Sequence, residues 1–527
     1  MKKYLPYAAL LVGFAADFLF WDKTPGVSFA IFILFALSLG YGLLHNQHIH
    51  PDRRNRLLMI LILFFCVMSF LRRDLLTTFL NYVLVMFSVI ILAATFRNGE
   101  WISYNVRDYF VHFFQVIGSL FVHPKDPTPS SDPDQAEQDR MHNRKNLFSI
   151  LRGILLAIPI LLIFTTLLSS ADLVFAKQLD TFFLNFQMEK VNEYLRRAFF
   201  VVLVAYFFTG IIRHAAFRSR KEKPLGNEKS QTAPFLGFIE TAIILGSVIL
   251  LFSLFVIIQF RYLFSGPSNI SLSGFTYSEY ARRGFGELVA VAVFSLLLLK
   301  SLSVVSKREG KKQRNVFLSL MIGLVVSALI ILVSAFQRLL LYEAAYGFSQ
   351  LRIYAHVFMI WLGILLVGAM LLEVLDRPRM FANVLLAVLI GFTATLNLMN
   401  VDAFIARQNI NRAVSGQELD RFYLTGLSED AVPALVHKYQ SEDIPVEVRE
   451  EIGAVLVCQQ IDIDEIKVSQ NEHWQSFHLS PWFAQKALDK VQDSLSLYTT
   501  FDTHGSITVI SPDGTLRHVC QNTVFMD

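Results

Sequence analysis

Charged side chains are scarce in this sequence, and this scarcity excludes an ordinary soluble globular protein. Asp, Glu, Lys and Arg make up 17% of the 527 residues, whereas hydrophobic residues make up 54%. The mean hydropathy is +0.47. A soluble domain usually contains about 25% charged residues. The composition therefore predicts a chain that lies largely in a membrane.

Cysteine is even scarcer. The three cysteines are Cys66, inside an apolar run, and Cys458 and Cys520, both near the C terminus. They form no Cys-x-x-Cys pair and no Cys/His zinc spacing. A disulfide between Cys458 and Cys520 is one interpretation, and two buried free thiols are the other.

Several catalytic signatures are missing as well. The sequence has no P-loop, dinucleotide fingerprint, G-x-S-x-G or H-E-x-x-H motif, which counts against ATPases, Rossmann enzymes, serine hydrolases and zincins. His45, His48 and His50 have metal-like spacing, but three polar residues in a loop beside the membrane need no metal to explain them. We expect no metal and no cofactor, and the sequence leaves open whether the protein is an enzyme.

Apolar runs of the length that crosses a membrane are abundant. A spanning helix needs about 20 apolar residues, and these runs lack the period-two alternation of barrel strands. The predicted fold class is an all-α polytopic membrane protein with about eleven transmembrane helices and a small α+β soluble C-terminal domain. The predicted spans are 4–21, 26–44, 57–71, 75–95, 150–169, 198–215, 235–259, 285–304, 316–337, 354–373 and 380–399. The third and fourth could instead form a re-entrant hairpin.

The distribution of Lys and Arg predicts the orientation. Basic residues collect in the connections 53–56, 213–229 and 307–314, and such loops stay on the cytoplasmic side. The N terminus is then inside and the C-terminal domain outside. The predicted regions are a four-span part (1–96), a cytoplasmic interfacial helix with a disordered linker (97–149), a seven-span core (150–413) and an extracytoplasmic soluble domain (414–527).

Three polar stretches interrupt the spans, and the predicted orientation places all of them on the outer side. They cover residues 276–288, 334–348 and 397–412. Ionisable residues near a membrane are expensive unless they are paired or functional, so we expect a binding site for an anionic group here. The candidate residues are Arg282, Arg283, Glu287, Arg338, Glu343, Asn400, Asp402 and Arg407.

Each stretch also has a purely structural interpretation. Thr276 and Glu279 have the spacing of a capping box, and Arg338 can anchor a helix end at the membrane boundary. Either explanation would leave those residues without a role in binding.

The third stretch cannot place all its polar residues in one cavity. At 100° per residue, Asp402 and Asn409 share one helix face, and Asn400, Arg407 and Asn411 share the opposite face. One set is expected to tie the bundle to the C-terminal domain, and the other to border a site. The alternative is that the whole stretch is structural, as a hydrogen-bonded junction.

The segments that carry these stretches resemble a known family. Residues 151–175, QFRYLF with TYSEYARRGFGEL (259–288), SAFQRLLLYEAAYGF (334–348) and NVDAFIARQNINR (400–412) are similar to a bacterial multi-pass membrane family catalogued only as a domain of unknown function (the 4153/4173 group). The resemblance covers about residues 150–440 and implies an architecture and a bacterial cytoplasmic membrane, without catalytic residues.

The sequence is compatible with three functions. The first is a multi-pass protein whose Arg-rich outer site binds an anionic or lipid-linked envelope component. The second is an envelope sensor or scaffold whose outer domain, 414–527, binds a protein partner. The third is a transporter, which would need polar residues through the full membrane depth. The expected partners are membrane lipid, such an anionic ligand and a protein, and not nucleic acid.

Overall fold

The computed structural model describes residues 4–121, 189–219, 234–263, 285–469, 473–503 and 506–521, with scattered residues between 153 and 177. Its first part contains α1 (Leu5–Phe20), α2 (Val27–His45), α3 (Asn55–Leu71), α4 (Leu75–Thr95), α5 (Val106–Phe121) and α6 (Glu189–Arg213). The middle part contains α7 (Phe238–Leu263), α8 (Phe285–Val305), α9 (Lys311–Tyr346), α10 (Gln350–Val374) and α11 (Phe381–Met399).

The remaining elements form the C-terminal region, by which we mean the described residues from 401 to 521. They are α12 (Val401–Val414), α13 (Arg421–Thr425), α14 (Val432–Tyr439), α15 (Val446–Ser469), α16 (Leu479–Leu488), α17 (Gln492–Leu495), β1 (Thr499–Thr503), β2 (Ser506–Ile510) and β3 (Leu516–Gln521). The strands form one antiparallel sheet in the order β1-β2-β3.

Among the described residues, eight helices are long and apolar enough to cross a membrane: α2, α4 and α6 to α11. Two more apolar helices, α1 and α3, are shorter. The expected count of about eleven is therefore met only in part, because the predicted span 150–169 lies largely outside the described residues. Their number, length and composition are those of a multi-pass membrane protein.

The four N-terminal helices and α6 pack around one apolar cluster, and α7 to α10 pack around another. Gly13 lets α1 and α6 approach closely, since a Cβ there would collide with the carbonyl oxygen of Val201. Close by, the guanidinium of Arg197 binds the Asp17 carboxylate, with Nη2 2.6 Å from Oδ2. The contact joins α6 to α1 near one end of the bundle.

The two ends of helix α9 define two faces of the molecule. Its 36 residues rise about 54 Å, well beyond a hydrocarbon core of about 30 Å. Its last turn is followed by Phe348, whose backbone exchanges two hydrogen bonds with the Asn409 amide. We call this end the C-terminal face and the end where α9 begins the opposite face.

The residue pattern of the C-terminal region predicts helices over 419–440 and 480–498 and a β-hairpin over 505–519. The structure divides 419–440 into α13 and α14, and 480–498 into α16 and α17. The hairpin is β2 and β3, and β1 adds a third strand. Helix α15, which was not predicted, supplies the centre of this region's core with Val455, Leu456 and Cys458.

Candidate functional site

The predicted candidate Asp402 lies at the junction between the bundle and the C-terminal region. Its Oδ1 accepts a hydrogen bond from Gln350 Nε2 at 2.7 Å, and its Oδ2 accepts from Ser428 N at 2.9 Å and Oγ at 2.5 Å. The side chain is 1% exposed. Burial raises the pKa of Asp402, while its hydrogen bonds to Ser428 and Gln350 oppose that rise. Asp402 therefore connects the start of α10 to the C-terminal region.

Asn400 shapes the chain at the same junction. It adopts a left-handed conformation with φ of 52°, where α11 ends and α12 begins. Its side-chain oxygen accepts from Ala403 N at 3.2 Å and so caps α12. Its Nδ2 donates to the Asp430 carbonyl oxygen at 3.4 Å. These contacts assign Asn400 a structural role.

Two ion pairs strengthen the junction from the α3–α4 connection. Arg73 Nη1 lies 2.5 Å from Glu429 Oε1, and Arg72 Nη1 lies 3.4 Å from Asp430 Oδ1. Both acids are buried. Arg72 Nε also donates to the carbonyl oxygen of Asn397 at 3.0 Å. The end of α3 is thereby held to the C-terminal region and to α11.

Glu343 and Arg338 lie on α9, and both are buried. The structure brings Glu343 together with His356 of α10, with 3.2 Å between Oε1 and Nδ1. His356 was not predicted, because a single histidine in an apolar helix gives no signal of its partner. Glu343 and Asp402 thus have different partners.

The remaining candidates divide into two groups. Glu287, in the first turn of α8, and Arg407, on α12, are exposed. Arg282 and Arg283, together with the predicted capping pair Thr276 and Glu279, lie outside the described residues. The predicted division of α12 is present: Asp402 and Asn409 are buried, and Arg407 and Asn411 are exposed.

A basic pocket lies on the opposite face. It has a volume of about 810 Å³ and is bordered by α5, α8, α9, α10 and α11 at or near their ends. Six basic side chains line it, against two acidic ones, Glu373 and Asp376. The basic residues are Arg107, Lys300, Arg308, Lys311, Arg314 and Arg379. This volume is within the range of small-molecule sites.

Each acid in the pocket has a basic partner. Glu373, which is buried, accepts from Arg308 Nη1 at 2.9 Å and from Ser303 Oγ at 2.7 Å. Asp376 lies 3.3 Å from Arg314 Nη1. Within the described part of the chain, Lys311 and Arg379 form no ion pair, so their charges are available to a ligand.

Backbone groups add to the positive potential. Helix α9 begins at Lys311 after Gly310, whose φ is 101°, and its first turn has no side-chain cap. Helix N-termini present unpaired N–H groups and a partial positive charge. The Lys311 ammonium therefore adds its charge to the partial positive charge of the helix N-terminus, a position that already favours an anion.

The pocket was missed at the level of sequence because its residues are far apart in the chain. Taken alone, the cluster 307–314 indicates only the orientation of the chain. A usable signal existed: the alternation of spans places this connection, the connection 375–380 and the start of α5 on one side of the membrane. Their combined charge could have indicated a shared site.

Comparison with known proteins gives one result. The family model described as "Domain of unknown function (DUF4153)" matches residues 59–437. The match confirms the resemblance to this family, and it begins well before residue 150, where the resemblance was expected to begin. No curated protein and no solved structure matches the chain.

Proposed function

The chain belongs to the DUF4153 family of unknown function, and we propose that it is a membrane protein that binds a phosphate-bearing anion in the basic pocket on the opposite face. One observation carries the proposal: Lys311 and Arg379, without ion-pair partners among the described residues, border the same cavity as the uncapped first turn of α9. Arginine side chains and open helix N-termini both hold phosphate groups in proteins.

The lining favours phosphate on a lipid, although free phosphate has the same headgroup chemistry. Val304, Phe381 and Ala382 give the pocket an apolar side, and Lys300 Nζ lies 4.4 Å from the centre of the Phe381 ring. Basic pockets between transmembrane helices are known receptors for anionic headgroups. The expected anionic ligand is thus proposed at this face, where the structure gathers cations, rather than at the C-terminal face.

The orientation belongs to the same proposal. The basic connections support an opposite face in the cytoplasm of a bacterial cell and a C-terminal region outside the inner membrane. The disulfide between Cys458 and Cys520 supports this orientation, since disulfides persist in oxidising compartments. Reporter fusions at residues 310 and 420 test this orientation. The fusion at 310 should report a cytoplasmic position, and the fusion at 420 a position outside the membrane.

Isothermal titration of the full-length protein in neutral detergent tests the ligand. The three probes are inorganic phosphate, dihexanoyl phosphatidic acid and dihexanoyl phosphatidylcholine. We expect phosphatidic acid to bind most tightly, with affinity that falls as salt rises. Binding of phosphate as tightly as of the lipid would assign the site to a soluble anion. If neither anion binds, the proposal is wrong.

A second candidate, a scaffold with a protein partner on the C-terminal region, has its own supporting observation. The ion pairs Arg73–Glu429 and Arg72–Asp430 join that region to the bundle. A partner bound there would act on the helices directly. Hydrogen exchange in the variant E429Q/D430N tests this coupling: faster exchange at the ends of α3 and α11 would support it, and unchanged exchange would oppose it.

A further inference from the structure

The segment Trp474–Lys486 of the C-terminal region, which we call the aromatic segment, has exposed rings. Trp474, Phe477, Trp482 and Phe483 are between 42 and 54% exposed. Large aromatic side chains bury most of their surface in soluble domains, so several exposed rings in one short segment indicate a partner. The position of the segment identifies the kind of partner.

The aromatic segment lies against the ends of the first two helices. The ring centres of Trp474 and Phe18 are 6.2 Å apart. Val27 N, at the start of α2, donates to the Phe477 carbonyl oxygen at 2.9 Å, and Gln475 Nε2 donates to the Phe18 carbonyl oxygen at 3.4 Å. Helix α16, which carries the exposed Trp482 and Phe483, contacts α3.

Two of the helices that the aromatic segment contacts, α1 and α3, are the short apolar helices. Helix α1 has 16 residues and α3 has 17, which correspond to rises of only about 24 and 26 Å. The hydrocarbon core of a membrane is about 30 Å thick. Each helix therefore falls several ångströms short of spanning it, and the shortfall has to be met by thinning of the bilayer or by added apolar surface.

The exposed surface of α1 leads directly into the aromatic segment. Tyr7, Leu11, Phe14 and Phe18 are exposed and follow one another at intervals of four, three and four residues, so they form a single stripe along one side of the helix. Trp474 packs on the last of them. An apolar helix stripe that faces outward in a membrane protein faces lipid.

Lysines complete the pattern of a membrane boundary. Lys23 Nζ lies 5.0 Å from the centre of the Phe18 ring, and Lys486 Nζ lies 5.1 Å from the centre of the Trp482 ring. Trp and Lys are enriched where the hydrocarbon core meets the headgroups, because the ring stays in the apolar layer and the ammonium reaches water.

From these observations we infer that the aromatic segment is embedded in the lipid boundary layer and extends the membrane-facing surface of α1 and α3. The occupant of this exposed surface is membrane lipid, and the C-terminal region is therefore partly a membrane-bound structure. This inference concerns the C-terminal face and is independent of the anion pocket on the other side.

Tryptophan fluorescence in nanodiscs tests the inference. The variant W21F/W101F/W361F/W474F leaves Trp482 as the single tryptophan, and a companion that carries W482F instead of W474F leaves Trp474. The control adds F501W to a background in which all five native tryptophans are Phe, since Phe501 is exposed on β1. Quenching is measured with lipids brominated high on the acyl chain and with aqueous iodide.

We expect bromolipid to quench Trp474 and Trp482 at least about twofold more than the F501W indole, and iodide to quench them correspondingly less. Iodide quenching equal to that of the control, without bromolipid quenching, would overturn the inference. If the multiple variants do not fold, the difference between the wild type and W474F/W482F gives the same answer: the part of the emission that is lost must be the part that bromolipid quenches.

Discussion

Arg308 and Glu373 lie face to face in the basic pocket, with 2.9 Å between Nη1 and Oε1. The contact joins the α8–α9 connection to the end of α10, and Ser303 Oγ holds the other carboxylate oxygen at 2.7 Å. The Glu373 carboxylate is thus an anionic group of the pocket itself, and it competes with any ligand for the Arg308 guanidinium. Its negative charge should therefore oppose binding of the proposed phosphate group.

Removal of that charge should strengthen anion binding. The variant E373Q keeps a hydrogen-bonding side chain beside Ser303 and Arg308, so we expect the affinity for phosphatidic acid to rise by about tenfold. Titration calorimetry measures it. E309Q is the matched control, because Glu309 is exposed and does not line the pocket. Equal gains in both variants would reflect net charge alone and contradict a local role for Glu373.

The stability of the junction at Asp402 should be sensitive to the replacement of one carboxylate oxygen by an amide nitrogen. In D402N an NH2 group, which cannot accept, replaces one carboxylate oxygen, so either Gln350 or Ser428 loses its acceptor. We expect a loss of about 1–3 kcal/mol of stability at the junction, seen as a lower melting temperature in detergent. R407Q, on the exposed face of the same helix, should leave the melting temperature unchanged. A D402N protein as stable as the wild type would show that these hydrogen bonds contribute nothing.

The face of α12 that carries Asp402 could be predicted, because helical geometry fixes which residues share a side. The partners Gln350 and Ser428 could not, since they belong to elements 52 and 26 residues away. The same limit hid the basic pocket, whose lining runs from Asn105 to Ala382. Helix α15 was missed for another reason: its buried run around Val455 is flanked by charged residues and shows no clear single face.

The disulfide should stabilise the C-terminal sheet. Cys458 on α15 and Cys520 on β3 are bonded and lie 62 residues apart in the chain. Loss of such a cross-link costs about 4 kcal/mol in the chain-entropy account. We therefore expect C458A/C520A to be cut by protease within β1–β3 under conditions where the wild type resists. In the folded wild type, alkylation without reductant should modify neither cysteine; modification of both would contradict the bond.

Acid should weaken the same part of the protein. Burial, and secondarily the nearby Arg421, lower the pKa of His518 to about 4. A lowered histidine pKa means that the unfolded state binds the proton more readily. The stability it contributes is present above the ordinary pKa of 6.5 and is lost as the pH falls towards 4.

The predicted loss is up to about 3 kcal/mol, measured as the free energy of local opening by hydrogen exchange at β3. H518Q should flatten this pH dependence, because the glutamine does not titrate and can still bind Thr425, whose Oγ1 lies 2.8 Å from Nε2 of His518. A pH profile of H518Q identical to that of the wild type would exclude His518 as the source.

Binding of phosphatidic acid by pocket variants, followed by native mass spectrometry, tests the central claim most directly. Lys311 and Arg379 border the cavity; Lys312, next in sequence, is also exposed but does not border it. We predict that K311Q/R379Q weakens binding at least about tenfold, since each charge-assisted contact contributes about 1.5–3 kcal/mol. K312Q should bind like the wild type. If K311Q/R379Q binds as tightly as K312Q, the pocket is not the anion site.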